Sequence, residues 1–189
     1  MTLEEWAELD DEIEGELVDG LLEEEEMPSF LHEMVVSWLI VTLHAWARRR
    51  GGRVAASEAK IAVGPRRGRK PDVSVYMRSQ MPAAADRLIT VAPYLVAEVT
   101  SPRPRDTRRD RIDKLRDYAR AGIRYYWILD PQLRSLEVFE LGRGRSLRGR
   151  AHGGGRPYTR PGLFGSGGRS RRTVARRRRG DVRARPALS

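Results

Sequence analysis

The chain has 189 residues, 40% of them hydrophobic and none of them cysteine, enough for one domain of ordinary size plus a tail and incompatible with a disulfide scaffold, a zinc finger or a thiol nucleophile. The formal net charge of +10 is unevenly spread: residues 142–189 hold 15 arginines and one acid, whereas the first 47 residues hold 14 acids and no Lys or Arg. The stretch between them has 21 bases against 11 acids, so a polyanion is expected to face the middle of the chain and not its start.

Residues 2–9 read as a short helix, with Thr2 as cap and Glu5 three residues on, the spacing of a capping box. GELVDG at 15–20 followed by LLE predicts a hairpin over an Asp19-Gly20 turn. A longer helix is expected from about Phe30 to Arg49, after Pro28-Ser29 and before Gly51-Gly52. Its apolar stripe is read as Leu31, Met34, Val35, Trp38, Leu39, Thr42, Ala45 and Trp46. Strands follow at 53–59, 60–63 and 71–76, with the basic segment GPRRGRK expected as a loop. YLVAEV at 94–99 has the length and apolarity of a central strand buried on both faces. A second helix is expected from about Arg108 to Ala121, ending at Gly122, before the strands RYYWIL at 124–129 and SLEVFEL at 135–141.

After Leu141 the composition changes. The last 48 residues hold 11 of the 18 glycines, and no apolar period is visible. The expected organisation is a folded domain over 1–141 and an Arg/Gly-rich tail over 142–189, outside the packed core. A basic nucleic-acid arm, a solvated low-complexity tail and a reading frame lost near Gly142 all fit that composition. The apolar runs are short and the first residues carry no basic leader, so no transmembrane helix and a cytoplasmic location are expected.

Three residues stand at junctions suited to chemistry: Asp72 opens a strand after Pro71, Glu98 lies near the end of a buried strand, and Lys114 is on the next helix. A carboxylate inside an apolar run is costly unless it is paired or metal-bound. Two carboxylates at neighbouring strand ends can share a hard divalent cation. A plain salt bridge, Glu98 with Lys114 or with an arginine, is the alternative from spacing alone. Asp110, four residues before Lys114, is placed to orient it, and Tyr118, four after, either walls the site or fills the core. His32 is assigned to surface or packing duty in preference to a place in the cap region, behind the site or against substrate. Arg66, Arg67, Arg69 and Lys70, with Arg105 and Arg108, are candidate phosphate contacts.

Taken together, GELVDG at 15–20, KPDVSVY at 70–76, LVAEVTSP at 95–102 and DRIDKLRDYARAGIRYYWILDP at 110–131 resemble the Uma2 endonuclease family, within the PD-(D/E)xK superfamily. The resemblance covers about residues 10–141. It implies an α/β (mixed α+β) fold with a restriction-endonuclease-like core, a mixed sheet flanked by helices. It implies Asp72 and Glu98 as metal ligands, joined by the Val99 carbonyl, with Lys114 as the catalytic cation and Glu16 completing the acidic cluster. The superfamily lysine position is occupied here by Thr100; the family pattern transfers that role to Lys114. The implied activity is Mg²⁺-dependent hydrolysis of DNA phosphodiester bonds, with Mn²⁺ as a substitute and no organic cofactor; a homodimer is expected because action on a duplex often goes with a dimer. The alternative is a nucleic-acid-binding or interaction protein that keeps the fold without turnover.

Overall fold

The computed structural model describes residues 1–10, 13, 15–24, 27–100, 109–142 and 147–150. In chain order these form α1 (Leu3–Ala7), β1 (Glu16–Val18), β2 (Leu21–Glu23), α2 (Phe30–Arg48), β3 (Arg53–Ala56), β4 (Ile61–Gly64), β5 (Arg67–Arg69), β6 (Val73–Tyr76) and β7 (Leu95–Val99). A wide π-type turn, Arg109–Lys114, then leads into α3 (Leu115–Ala121), followed by β8 (Tyr125–Asp130), β9 (Ser135–Leu141) and β10 (Leu147–Arg150). This is the mixed α+β class expected from the sequence.

The local signals act as their chemistry requires. Thr2 accepts from the Glu5 amide while the Glu5 carboxylate accepts from the Thr2 amide, which closes the capping box on α1. The β1–β2 hairpin turns through Asp19 at φ 52° and Gly20 at φ 86°. Two successive positive φ values match the right-handed twist of the flanking strands. Gly122, at φ 82°, ends α3 in the left-handed conformation.

The strands form two sheets. The smaller runs β2-β1-β5-β4 and is antiparallel throughout; the larger runs β10-β9-β8-β7-β6-β3, with β7 and β8 parallel and the other pairs antiparallel. α2 packs on β3, β6 and β7, and α3 packs on β4 and β10. β7 is buried at every residue, as its unbroken apolar run predicts. Val96, Tyr126 and Ile128 of the large sheet meet Tyr118 and Ala119 of α3 and Ile61 and Val63 of the small sheet in one core cluster. Each fully buried aliphatic side chain there contributes about 1.5–3 kcal/mol.

Four readings of the sequence need correction. GPRRGRK is not all loop: Arg67–Arg69 form β5, the strand that joins β1 to β4. Gly68 pairs with Leu17 and lies beneath the Trp6 ring, where a Cβ would come within 2.2 Å of it. The sheet also continues past Leu141, because β10 pairs antiparallel with β9, from Leu147 opposite Leu141 to Arg150 opposite Val138. Finally, α2 buries Val36, Leu39, Leu43 and Ala47; of the stripe read from sequence only Leu39 is in that buried set. α2 is also long and apolar enough to cross a membrane by length and composition, contrary to the expectation that no segment would be. The reason is that its only charged residues are Glu33 and the terminal Arg48.

Candidate active site

The site is built on the ends of β6 and β7. Pairing of Val73 with Ala97 brings Asp72, just before β6, alongside Glu98 near the end of β7. Asp72 Oδ2 accepts a hydrogen bond of 2.7 Å from the Val99 amide, so it is fixed to the residue that follows Glu98. His32, in the first turn of α2, places Nε2 3.2 Å from the same oxygen. Ser29 caps that helix through the His32 amide and sets where the imidazole enters.

Glu98 is buried on the α3 side. Its Oε1 accepts from the Tyr118 hydroxyl at 2.5 Å and lies 3.1 Å from Lys114 Nζ. Lys114 and Tyr118 stand four residues apart, close to one helical turn, so both side chains reach one carboxylate. Burial, then the charges of Glu98 and Glu16, push the Tyr118 phenol well above its ordinary range. It therefore stays protonated and acts as a hydrogen-bond donor.

Glu16, from the hairpin, completes the cluster: its Oε1 lies 3.2 Å from Lys114 Nζ and accepts from the Lys70 amide at 3.1 Å, while Oε2 pairs with Arg69 Nη1 at 2.7 Å. Arg69 also reaches Asp117 with Nε at 3.0 Å and Nη2 at 2.6 Å. Arg67 bridges Asp117 to Asp19, with contacts of 3.1 Å and 2.7 Å. A continuous ionic network thus ties β1, β5, β7 and α3 together. Buried charges persist only in such paired, hydrogen-bonded arrangements.

The residues singled out in the sequence separate accordingly. Glu98, Lys114 and Glu16 come together, with the salt bridge Glu98–Lys114 formed, and Asp72 is tied to the Val99 amide next to Glu98. His32, assigned to surface or packing, contacts Asp72 instead. Its imidazole is shifted upward, with burial opposing protonation and the Asp72 hydrogen bond and charge outweighing it. Glu33 lies 3.5 Å from Nδ1, a charge contact longer than a good hydrogen bond.

The basic segment is corrected more sharply. Arg69 is 1% exposed and consumed by Glu16 and Asp117, and Lys70 is buried with Nζ 2.7 Å from Glu58, so neither offers its charge to a phosphate. Arg67 is tied between two aspartates, whereas Arg66 is exposed. Arg105 and Arg108 lie outside the described residues, as does the side chain of Asp110. Asp117, 1% exposed, was missed. The signal was there: it follows Lys114 by three, and Arg67 and Arg69 point to one face of a strand as residues two apart do. Lys60, another of the three lysines, donates to the Trp6 and Ala7 carbonyls at the end of α1.

Thr100, where the resemblance would have placed a lysine, is buried and donates from Oγ1 to the Leu129 carbonyl at 3.3 Å. Among the described residues no group of three or more His, Asp or Glu side chains converges as a metal cage. Asp72 and Glu98, brought side by side at neighbouring strand ends, are hard oxygen donors of the kind that suit Mg²⁺, which is commonly held by one or two carboxylates and retains water.

Comparison with known proteins agrees with this architecture. A crystal structure titled a putative nuclease belonging to DUF820, from Anabaena variabilis ATCC 29413, superimposes with a TM-score of 0.66 at 20% identity, over 79% of this chain and 83% of that one. At that identity the likeness is one of fold. A search of curated proteins gave no match. The Uma2 family model, described as "Putative restriction endonuclease", matches residues 2–166. With most of its length inside that match, the chain belongs to the Uma2 family.

Proposed function

We propose that this chain is a Mg²⁺-dependent endodeoxyribonuclease, with Mn²⁺ able to substitute, acting on DNA in the cytoplasm. The observation that carries the reading is the Lys114 ammonium 3.1 Å from Glu98, in a cluster whose second carboxylate, Asp72, is bonded to the very next residue of β7. Asp72, Glu98 and the Val99 carbonyl would hold the ion. A bound divalent ion supplies Lewis acidity at a phosphoryl oxygen and lowers the pKa of water.

The remaining tasks fall to this chain's own groups. Val99 N–H and His32 fix one carboxylate; Tyr118 and Lys114 fix the other. Glu16 keeps the ammonium beside Glu98, where it fixes that carboxylate and adds positive potential to the site. Arg66 supplies an exposed cation at the edge of the same hairpin region.

Thr100 favours a second reading, a DNA binder without turnover, because it removes the in-strand lysine. Cleavage of plasmid and single-stranded DNA with and without Mg²⁺ or Mn²⁺ separates the two. The nuclease reading expects cleavage by the wild type that disappears in Asp72→Asn/Glu98→Gln. Equal cleavage by both proteins rejects this site. DNA binding without cleavage, unchanged in the double variant, selects the binder.

A further inference from the structure

The outward side of α2 carries a second apolar stripe. Leu31, Met34, Trp38, Val41 and Ala45 succeed one another at alternating spacings of three and four, and Arg48 continues the pattern. Such a 3-4 alternation is the seam of a helix that packs along another helix. Here it faces outward: Leu31 is 48% exposed, Met34 55%, Trp38 57% and Val41 70%, with Phe30 at 81% beside them and Met27 at 92% just ahead of the helix. At roughly 150–250 Å² for a whole large side chain, the exposed part of these six amounts to about 700 Å². The largest apolar patch of an ordinary monomer is about 300–600 Å², whereas each partner in a standard interface contributes about 800 Å².

We propose that a second copy of this chain covers the stripe, α2 packing antiparallel on α2 about a twofold axis near Trp38 and Val41. The seam is self-complementary in that orientation, as a twofold interface must be. Its charges agree: Glu23, Glu24 and Glu33 lie at the N-terminal end and Arg48, Arg49 and Arg50 at the C-terminal end. Antiparallel pairing sets the acidic end of each helix against the basic end of the other. A lipid surface is a poorer partner. Helices that lie in a membrane interface carry Lys and Arg along the polar face, and none occurs from Met1 to Ala47. Spanning a bilayer would strip Val36, Leu39, Leu43 and Ala47 from the sheet. The stripe starts at Leu31, next to His32 and its contact with Asp72, so this dimer would hold two candidate centres in a fixed relation.

Sedimentation equilibrium of the full chain tests it. The wild type should have the mass of a dimer, and Trp38→Glu/Val41→Glu that of a monomer with an unchanged circular dichroism spectrum. The chain has no cysteine, so single introduced thiols are informative: Val41→Cys should crosslink to a dimer on oxidation, and Leu133→Cys, exposed elsewhere, should not. If the charged double variant fails to fold, the crosslinking decides. A monomeric wild type, a dimer that survives the double substitution, or equal crosslinking at both positions overturns the proposal. So does a monomer that floats with phosphatidylcholine vesicles and ceases to do so in Trp38→Glu/Val41→Glu, which would make lipid the occupant.

Discussion

The ammonium of Lys114 lies 3.1 Å from Glu98 Oε1, both side chains at most 5% exposed, and the same nitrogen is 3.2 Å from Glu16 Oε1. One cation thereby balances two carboxylates that have little water to solvate them. Removing it takes the ammonium from both, leaving Glu16 to Arg69 and Glu98 to the Tyr118 hydroxyl. Breaking a buried ion pair from one side costs about 3–5 kcal/mol, so Lys114→Met should lower the urea midpoint strongly as well as abolish cleavage. Adding Glu16→Gln should restore part of the stability and none of the cleavage. A Lys114→Met protein as stable as the wild type would mean that the two acids are not held by this lysine.

Asp72 has a structural bond and a proposed metal-binding role, and two substitutions separate them. Asn keeps an oxygen that can accept from the Val99 amide, while Ala leaves that amide without its partner at a cost of about 1–3 kcal/mol. Asp72→Asn should therefore melt near the wild type in EDTA, and Asp72→Ala clearly below it. With Mg²⁺ at about a hundredfold its dissociation constant, the wild type should gain about 2.7 kcal/mol, and neither variant should gain as much. Equal Mg²⁺ stabilisation of the wild type and Asp72→Asn would remove Asp72 from the metal site.

How far these roles were legible depended on whether the signal was local. The capping box at Thr2, the Asp19-Gly20 turn, the buried β7 run and Gly122 are set by neighbours in sequence, and each appears where its chemistry puts it. Asp72, Glu98 and Lys114 stood out because charge inside apolar runs needs a reason. What sequence could not supply was the partner. Arg69 reads as one more cation of a basic loop until β5 is seen paired to β1, which carries Glu16, and facing Asp117 on α3. His32 reads as surface until the start of α2 is placed over Asp72. For α2, two apolar stripes share one helix, and the sequence alone offered no means of deciding which one the sheet takes.

The two arginines of the β4–β5 region should now behave in opposite ways. Arg69→Met leaves Glu16 and Asp117 without the guanidinium that satisfies both, and should destabilise by about 3–5 kcal/mol. Arg69→Lys should not rescue it, since a single ammonium cannot reproduce the fork that spans two carboxylates. Arg66→Ala should leave the melting curve nearly unchanged. If Arg66 meets a phosphate, its loss should reduce the slope of log binding constant against log salt by about one. Chemical denaturation and salt-dependent DNA binding, run on all three variants, check this division. A stable Arg69→Met protein with a reduced salt slope would return Arg69 to the DNA surface.

His32 gives a pH dependence with a definite sign. Burial disfavours the imidazolium, but the hydrogen bond and charge of Asp72, aided by Glu33, outweigh it and raise the folded value above the ordinary 6.5. A group whose folded pKa is raised contributes stability that is complete below the unfolded value and is lost as pH rises through the folded one. In metal-free protein, the stability difference between wild type and His32→Gln should be largest below pH 6.5 and shrink as the solution becomes alkaline. The same comparison in an Asp72→Asn background should be much flatter, because the carboxylate that favours the imidazolium is gone. Urea midpoints of the four proteins across the pH range provide the measurement. A difference that stays constant with pH, or that grows in alkali, would mean that the His32–Asp72 contact is not an ion pair in solution.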